Sequence, residues 1–349
     1  MRPGGDPAAC GIMASVSEPR AMLAIDGATV RELLPMDRCI DLMADALAGL
    51  SRGNAANPLR TMLAVPFATE APSVMASMPA ALGDPPALGV KILTVFPGNH
   101  AAGIESHQGF VLLFEPEHGS PVALIDAIAI TAIRTAAASG LATRLLALPD
   151  AHDLAILGSG TQARSHLAAM RAVRPIDRVR AWSPHRDRLE AFVAEAAAGG
   201  VAIEASDSAR AAVEGADIVC TVTASHDPVL EGSWLRDGSH VNAVGSSQAA
   251  YRELDSEAVR RARLFVDLRT STANEAGDYL IPLREGVIGE DHIVAEIGEV
   301  AAGLADGRTS DSEITLFKSL GLAIEDLAAA RWIHQRAVET GSGIPVPLG

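Results

Sequence analysis

Lysine is almost missing from this chain. Only Lys91 and Lys318 occur among 28 basic residues, the rest being arginine. Where arginine is used nearly everywhere, a retained lysine marks a place a guanidinium will not serve. A compact ammonium shifts its pKa and moves a proton, whereas a guanidinium stays charged. Cysteine is scarce as well. Cys10, Cys39 and Cys220 stand alone without metal-ligand or redox spacing. That excludes a disulfide framework or a zinc ribbon and points to buried thiols in a reducing, cytoplasmic compartment. Basic residues are outnumbered, for a net charge of −15, so neither nucleic acid nor an anionic membrane surface is expected as a partner. No apolar run reaches the length of a membrane span. Residues 1–24 carry Pro, Gly and Ala without an apolar segment bounded by a cleavage site, and read as a loose tail, or as the product of an upstream start codon, rather than a signal peptide.

What is present is a 48% apolar composition over 349 residues, enough for two domains. Residues 153–163, DLAILGSGTQA, hold the strongest local signal. A buried strand stops at a glycine turn, and a helix opens at Thr161 and Gln162. Gly158, Gly160 and Ala163 give the G-x-G-x-x-A spacing: a tight turn, close backbone approach to a pyrophosphate, and close helix–strand packing. The helix N-terminus adds free N–H groups for the phosphates. From 153 to 268 six strands (153–157, 179–183, 201–205, 216–222, 240–244 and 263–267) alternate with helices at 161–173, 186–198, 207–214 and 252–261. This rhythm predicts a doubly wound α/β Rossmann sheet with its ligand at the carboxyl edge. The residues before it read differently: a helix over 35–50, strands over 59–68, 73–79 and 88–95, a hairpin across 109–126, and an Ala-rich helix over 129–147. A short helix is expected over 293–304 and a long helical pattern from Glu313 to Thr340. If the last helix packs back on the first block, that α+β domain is discontinuous: 25–146 with 315–345, around a nucleotide-binding domain of 147–314.

The second strand of the Rossmann pattern ends at Ser183 without the acid that meets a free ribose 2′-hydroxyl. His185, Arg186 and Arg188 follow and suit a 2′-phosphate, which favours NADP(H), with NAD(H) as the alternative. Thr223 at the end of the fourth strand is expected to let the cofactor lie across the strand end, and Val244, Gly245 and Ser246 at the end of the fifth to flank the nicotinamide; close sheet packing explains them equally well. Three cations of the first block stand out: Arg60, Lys91 and Arg134. Lys91 sits inside the apolar strand LGVKILTV. Arg134 lies in ITAIRTAAA, where a buried guanidinium needs a partner, either a substrate carboxylate or an internal salt bridge.

The runs GVKILTVFPGN (89–99), SHQGFVLLFEPEHGSPVALIDA (106–127), ITAIRTAAASGLAT (130–143), GSGTQA (158–163), HVNAVGSS with REL (240–254), GDYL (277–280) and FKSLGLAIEDLAAA (317–330) resemble the ornithine cyclodeaminase/mu-crystallin family over about residues 26–345. The resemblance implies a homodimer formed through the first block and the C-terminal helix. It implies that Arg60, Lys91 and Arg134 hold a substrate carboxylate, with Lys91 as the candidate proton donor. Ser106 and His107 match positions near the cofactor, although His107 is equally a plain loop histidine. Ornithine cyclodeaminases carry an Asp shortly after the VG of the fifth strand, and this chain reads Val244-Gly245-Ser246-Ser247-Gln248. The expected activity is therefore an NAD(P)H-dependent reduction of small cyclic imino acids such as 1-pyrroline-2-carboxylate or 1-piperideine-2-carboxylate. Ornithine cyclodeamination with bound NAD is the runner-up. An alanine or opine-type dehydrogenase and a non-catalytic small-ligand binder follow.

Overall fold

Two sheets organise the computed structural model, which describes residues 21–67, 73–102 and 104–348. The first half runs β1 (Ala21–Ile25), α1 (Gly27–Leu33), α2 (Met36–Ser51), β2 (Ala55–Ala56), β3 (Thr61–Ala64), β4 (Val74–Gly83), β5 (Pro86–Val95), β6 (His107–Phe114), β7 (Pro121–Asp126) and α3 (Ala127–Leu146). The second half runs β8 (Asp153–Leu157), α4 (Thr161–Val173), β9 (Arg178–Trp182), α5 (Arg186–Ala198), β10 (Glu204–Ala205), α6 (Ala209–Val213), β11 (Ile218–Thr221), β12 (His240–Ala243), α7 (Ser256–Arg261), β13 (Ala262–Val266), α8 (Arg269–Glu275), α9 (Gly277–Arg284), β14 (Ile293–Glu296), α10 (Ile297–Ala301) and β15 (Ile314–Lys318). The chain ends with α11 (Ala323–Thr340) and β16 (Ile344–Pro347).

The first sheet is mixed, ordered β16-β1-β7-β6-β5-β4-β2, with β3 also on β4. Its strands alternate in burial: along β5, Ala87, Gly89 and Lys91 face inward while Leu88 and Ile92 are exposed. The period of two thus aims Lys91 at the helices on the inner face. Those helices are α2, α3 and α11, joined with the sheet in one core. α3 starts where the Asp126 carboxylate accepts from the Ala129 N–H at 2.7 Å. α11 stops at Gly341, whose φ of +70° ends it in the left-handed region.

The second sheet is wholly parallel, ordered β10-β9-β8-β11-β12-β15-β13-β14. β8, β11 and β12 are buried along their whole length, as strands covered on both faces must be. The doubly wound expectation holds, with α4 and α5 at the expected residues. Two expectations at the end of the chain are corrected. Residues 293–304 split into β14 and α10. The helical pattern from Glu313 begins instead with β15, which slides between β12 and β13. Its residues ITLFK are all buried, and over so short an apolar run periodicity does not separate strand from helix. Gly321, at φ +80°, then breaks the chain before α11. Of the expected tail, Ala21–Ala24 belong to β1 and pair with β16, while residues 1–20, Cys10 included, lie outside the described residues. No helix among the described residues is long and apolar enough to cross a membrane.

Candidate functional site

The first turn of α11 carries Glu325 and Asp326 toward the inner face of the first sheet. Lys91 Nζ lies 2.6 Å from Asp326 Oδ2. Arg134, from α3, donates through Nε to Asp326 Oδ1 at 2.9 Å and through Nη1 to Glu325 Oε2 at 2.7 Å. Asp326 is therefore shared by two cations predicted to act together, and all four side chains are buried. Arg60, just before β3, reaches across to the second half. Its Nη2 lies 2.9 Å from Glu275 Oε2 of α8 and 3.1 Å from the carbonyl oxygen of Leu320. A Cβ on Gly321 would sit 2.4 Å from Arg134 Nη1, so Arg60 and Arg134 converge on the Leu320–Gly321 turn. Asp267 pins that turn by accepting from the N–H groups of Leu320 and Gly321 at 2.6 and 2.8 Å.

This turn lies on the carboxyl edge of the second sheet. Leu157 pairs in register with Thr221, Thr221 with Ala243, and Ala243 with Lys318, so the segments that follow each strand share one rim. The glycine turn after β8 and the cation cluster beyond β15 are thus brought to the same side. Three cations meet three carboxylates there. Burial pushes the Lys91 ammonium down to about 8, against the pull of Asp326. Burial pushes the Glu325 carboxyl up to about 7, against the pull of Arg134. Burial also opposes ionisation of Asp326, but Arg134 and Lys91 outweigh it and hold that carboxyl below its ordinary range. Arg134 keeps its charge for the same reason, its two acids outweighing its burial.

At the glycine turn, Gly158 has φ +125° and its Cβ would lie 2.8 Å from the Val222 carbonyl oxygen, so only glycine fits. Gly160, the N-cap of α4, has nothing within 4 Å of where a Cβ would stand. Gln162 Oε1 is buried without a hydrogen-bond partner among the described residues, and Ala163 packs fully buried against the sheet. Open space over Gly160 and a helix N-terminus fit a dinucleotide phosphate group. Ser159 Oγ donates to Ser183 Oγ at 3.1 Å, which ties the turn to the end of β9. Thr223 and Gly245 both bind the Glu253 carboxylate through their N–H groups, at 2.6 and 2.7 Å. Val244 and Ser246 follow β12 on the same rim. Ser106 and His107 meet each other at 3.0 Å at the start of β6, opposite Val95, on the ladder that also holds Lys91.

Sequence reasoning missed the acids. Glu325 and Asp326, Glu275, Glu253 and Asp278 hold the predicted cations and loops in place, and none was singled out. Two adjacent acids in the otherwise small and apolar AIEDLAAA carried the same signal as Arg134 in its own helix.

Residues 21–341 match the family model of the ornithine cyclodeaminase/mu-crystallin family. The chain is 40% identical to ketimine reductase mu-crystallin of Mus musculus over 83% of its own length and 88% of the relative's. It is 37% identical to a Delta(1)-pyrroline-2-carboxylate reductase of Bacillus cereus over 92% and 98%. Among solved structures it is similar to the Thermococcus litoralis Delta(1)-pyrroline-2-carboxylate reductase with NADH and L-proline (TM-score 0.90, 40% identity, 93% and 100% of the two chains). It is also similar to an archaeal alanine dehydrogenase dimer with bound NAD (0.88, 32%, 95% and 100%) and to the iminosuccinate reductase of Paracoccus denitrificans with NAD+ (0.87, 27%, 94% and 100%). All three hold the cofactor without a 2′-phosphate, which overturns the preference for NADP(H). The physical reason is visible after β9. Arg186 is engaged by Glu190 at 3.0 Å, one helical turn on, and faces Asp207 at 3.7 Å. The His185 N–H is turned to Ser183 Oγ at 3.3 Å. The exposed Arg186 charge read as a phosphate ligand is thus shared with two acids at the helix start.

Proposed function

The chain belongs to the ornithine cyclodeaminase/mu-crystallin family, and from that premise we propose that it reduces cyclic imino acids, of the 1-pyrroline-2-carboxylate type, with NADH. The observation that carries this reading is the buried cluster of Lys91, Arg134, Asp326 and Glu325 on the same rim as the glycine turn. Asp326 and Glu325 occupy Nε and Nη1 of Arg134, which fixes the guanidinium plane and leaves Nη2 for a substrate carboxylate. Arg60 supplies the second grip from the other side of the Leu320–Gly321 turn. The cluster suits a substrate that brings a carboxylate together with an imine nitrogen that still needs a proton. Bound NADH supplies the hydride to the imine carbon. Lys91, still protonated at neutral pH and titrating near 8, gives its proton to the ring nitrogen. Lysine serves there because an arginine would not release the proton.

Two copies of the chain are expected to associate through the outer face of the first sheet, where Leu63, Met75, Ile92 and Phe110 are exposed together. The free, buried Cys39 and Cys220 suit a reducing cytoplasm. The test is NADH consumption with five- and six-membered cyclic imino acids, beside ornithine and proline as controls. Imine-dependent loss of NADH absorbance is expected. Ammonia release from ornithine with no net change in NADH would overturn the reading in favour of cyclodeamination.

A further inference from the structure

Lys318, the second of the two lysines, has no part in the chemistry above. It ends β15 and is 1% exposed, so a buried ammonium is kept where an apolar side chain would complete the strand. Its Nζ lies 2.9 Å from Asp278 Oδ2 and donates to the carbonyl oxygen of Ser246 at 2.5 Å. Asp278 Oδ1 accepts in turn from the N–H groups of Glu253 and Leu254, at 2.8 and 3.0 Å. The Glu253 carboxylate accepts from Thr221 Oγ1 at 2.8 Å, from Thr223 Oγ1 at 2.7 Å, and from the N–H groups of Thr223 and Gly245. One lysine and two acids, all buried, thus tie together the segments that follow β11 and β12 on the carboxyl rim.

These segments have no slack. A Cβ on Gly245 would lie 2.0 Å from the Thr223 carbonyl oxygen, and one on Gly277 would lie 1.9 Å from that of Tyr251. Burying such a charge network is rarely a gain in stability over a well-packed apolar one. Its specific product is direction: the Ser246 carbonyl is drawn toward the sheet, and the Thr223 and Gly245 N–H groups are turned toward Glu253.

We propose that Lys318 is a positioning residue for the cofactor: held by Asp278, it fixes the Ser246 peptide, and through Glu253 the Thr223 and Gly245 backbone, in the arrangement that accepts NADH. This rests on the NADH-dependent reading given above.

The test uses the whole chain with Lys318→Met and Asp278→Asn combined. Asparagine keeps the Oδ1 acceptor, methionine keeps the length, and both charges leave together. The measurements are thermal melting, NADH affinity from the fluorescence of the bound nicotinamide, and KM for 1-pyrroline-2-carboxylate. The double variant is expected to melt near the wild type and above Lys318→Met alone, which strands the Asp278 charge. NADH affinity is expected to fall roughly tenfold, in line with losing a charge-assisted hydrogen bond to a loop the cofactor needs. KM for the imine should move less than twofold, a split that a general loss of structure would not produce. Lys318→Gln with Asp278→Asn restores a donor to the Ser246 carbonyl and is expected to recover most of the affinity. A double variant that does not fold makes the pair merely structural, and one that folds and binds NADH like the wild type makes it idle; either result overturns the proposal. A wild-type chain that failed to bind NADH would instead bring down the functional reading on which the proposal rests.

Discussion

Asp326→Asn removes one negative charge and almost no volume from the centre of the site. In the native cluster that carboxylate touches Lys91 at 2.6 Å and Arg134 at 2.9 Å. Burial has already pulled Lys91 down to about 8, and Asp326 is the chief influence raising it. An opposite charge at contact distance shifts a pKa by about 1–3 units, so the variant places Lys91 between roughly 5 and 7. At pH 7 its protonated fraction then falls from about nine-tenths to between about a half and about one per cent. If Lys91 gives its proton to the ring nitrogen, reductive kcat at pH 7 falls between about twofold and about 100-fold. The sign is fixed: lowering the pKa of a required acid moves the alkaline limb of the pH–rate profile down, so acidification toward pH 5–6 restores the rate. The assay is imine-dependent NADH oxidation between pH 5 and 9, run below the melting temperature. The melting temperature itself falls, because two buried cations are left to share Glu325, at a cost of about 3–5 kcal/mol. An Asp326→Asn enzyme whose alkaline limb stays at the wild-type position would refute the assignment of Lys91 as the acid.

Lys91→Ala is expected to lower kcat by roughly 100-fold or more while NADH binding, followed by fluorescence, is retained; near-normal turnover would remove Lys91 from the mechanism. A Cβ at position 160 meets nothing within 4 Å, so Gly160→Ser, which keeps a favoured N-cap residue, should melt close to the wild type while NADH affinity drops at least about tenfold through the lost approach to the phosphates. Gly158→Ala, by contrast, forces an alanine to φ +125° against the Val222 carbonyl, and should lose about 1–3 kcal/mol of stability by denaturant titration. Ile92→Asp with Phe110→Asp should convert a dimer into a 36.1 kDa monomer in sedimentation; a monomeric wild-type chain would count against the proposed interface.

The parts of the fold that can be read along the chain are those set by neighbours in sequence. The strand before Gly158 and the helix from Thr161 to Val173 follow from a local turn and a local period, and both stand where expected. That Arg134 needs a counter-charge was also legible, because a guanidinium among apolar residues must be paired wherever it lies, whereas its meeting with Lys91 was expected only from the family resemblance. What could not be read was the counter-charge itself. Arg134 and its acids are separated by about 190 residues, a distance no periodicity spans. The cofactor error had a different cause. The partner of Arg186 is Glu190, four residues on, a helical pair readable from spacing alone. β15 was mistaken for helix because five residues buried on both faces carry no alternation.

The placement of β15 has a bearing on how the chain acquires its shape. Its neighbours β12 and β13 precede it by some 75 and 52 residues, and they do not pair with each other. Until residue 318 has emerged from the ribosome, the parallel sheet stands open between them, with an unpaired edge on either side of the gap. Such long-range closures are slow and leave edges exposed to wrong partners while they wait. Synthesis of residues 314–326 therefore both zips the nucleotide sheet and, through α11, delivers the acids that Lys91 and Arg134 require. Assembly of the buried charge cluster and completion of the sheet become one late event, so a nascent chain stalled before this point would hold neither.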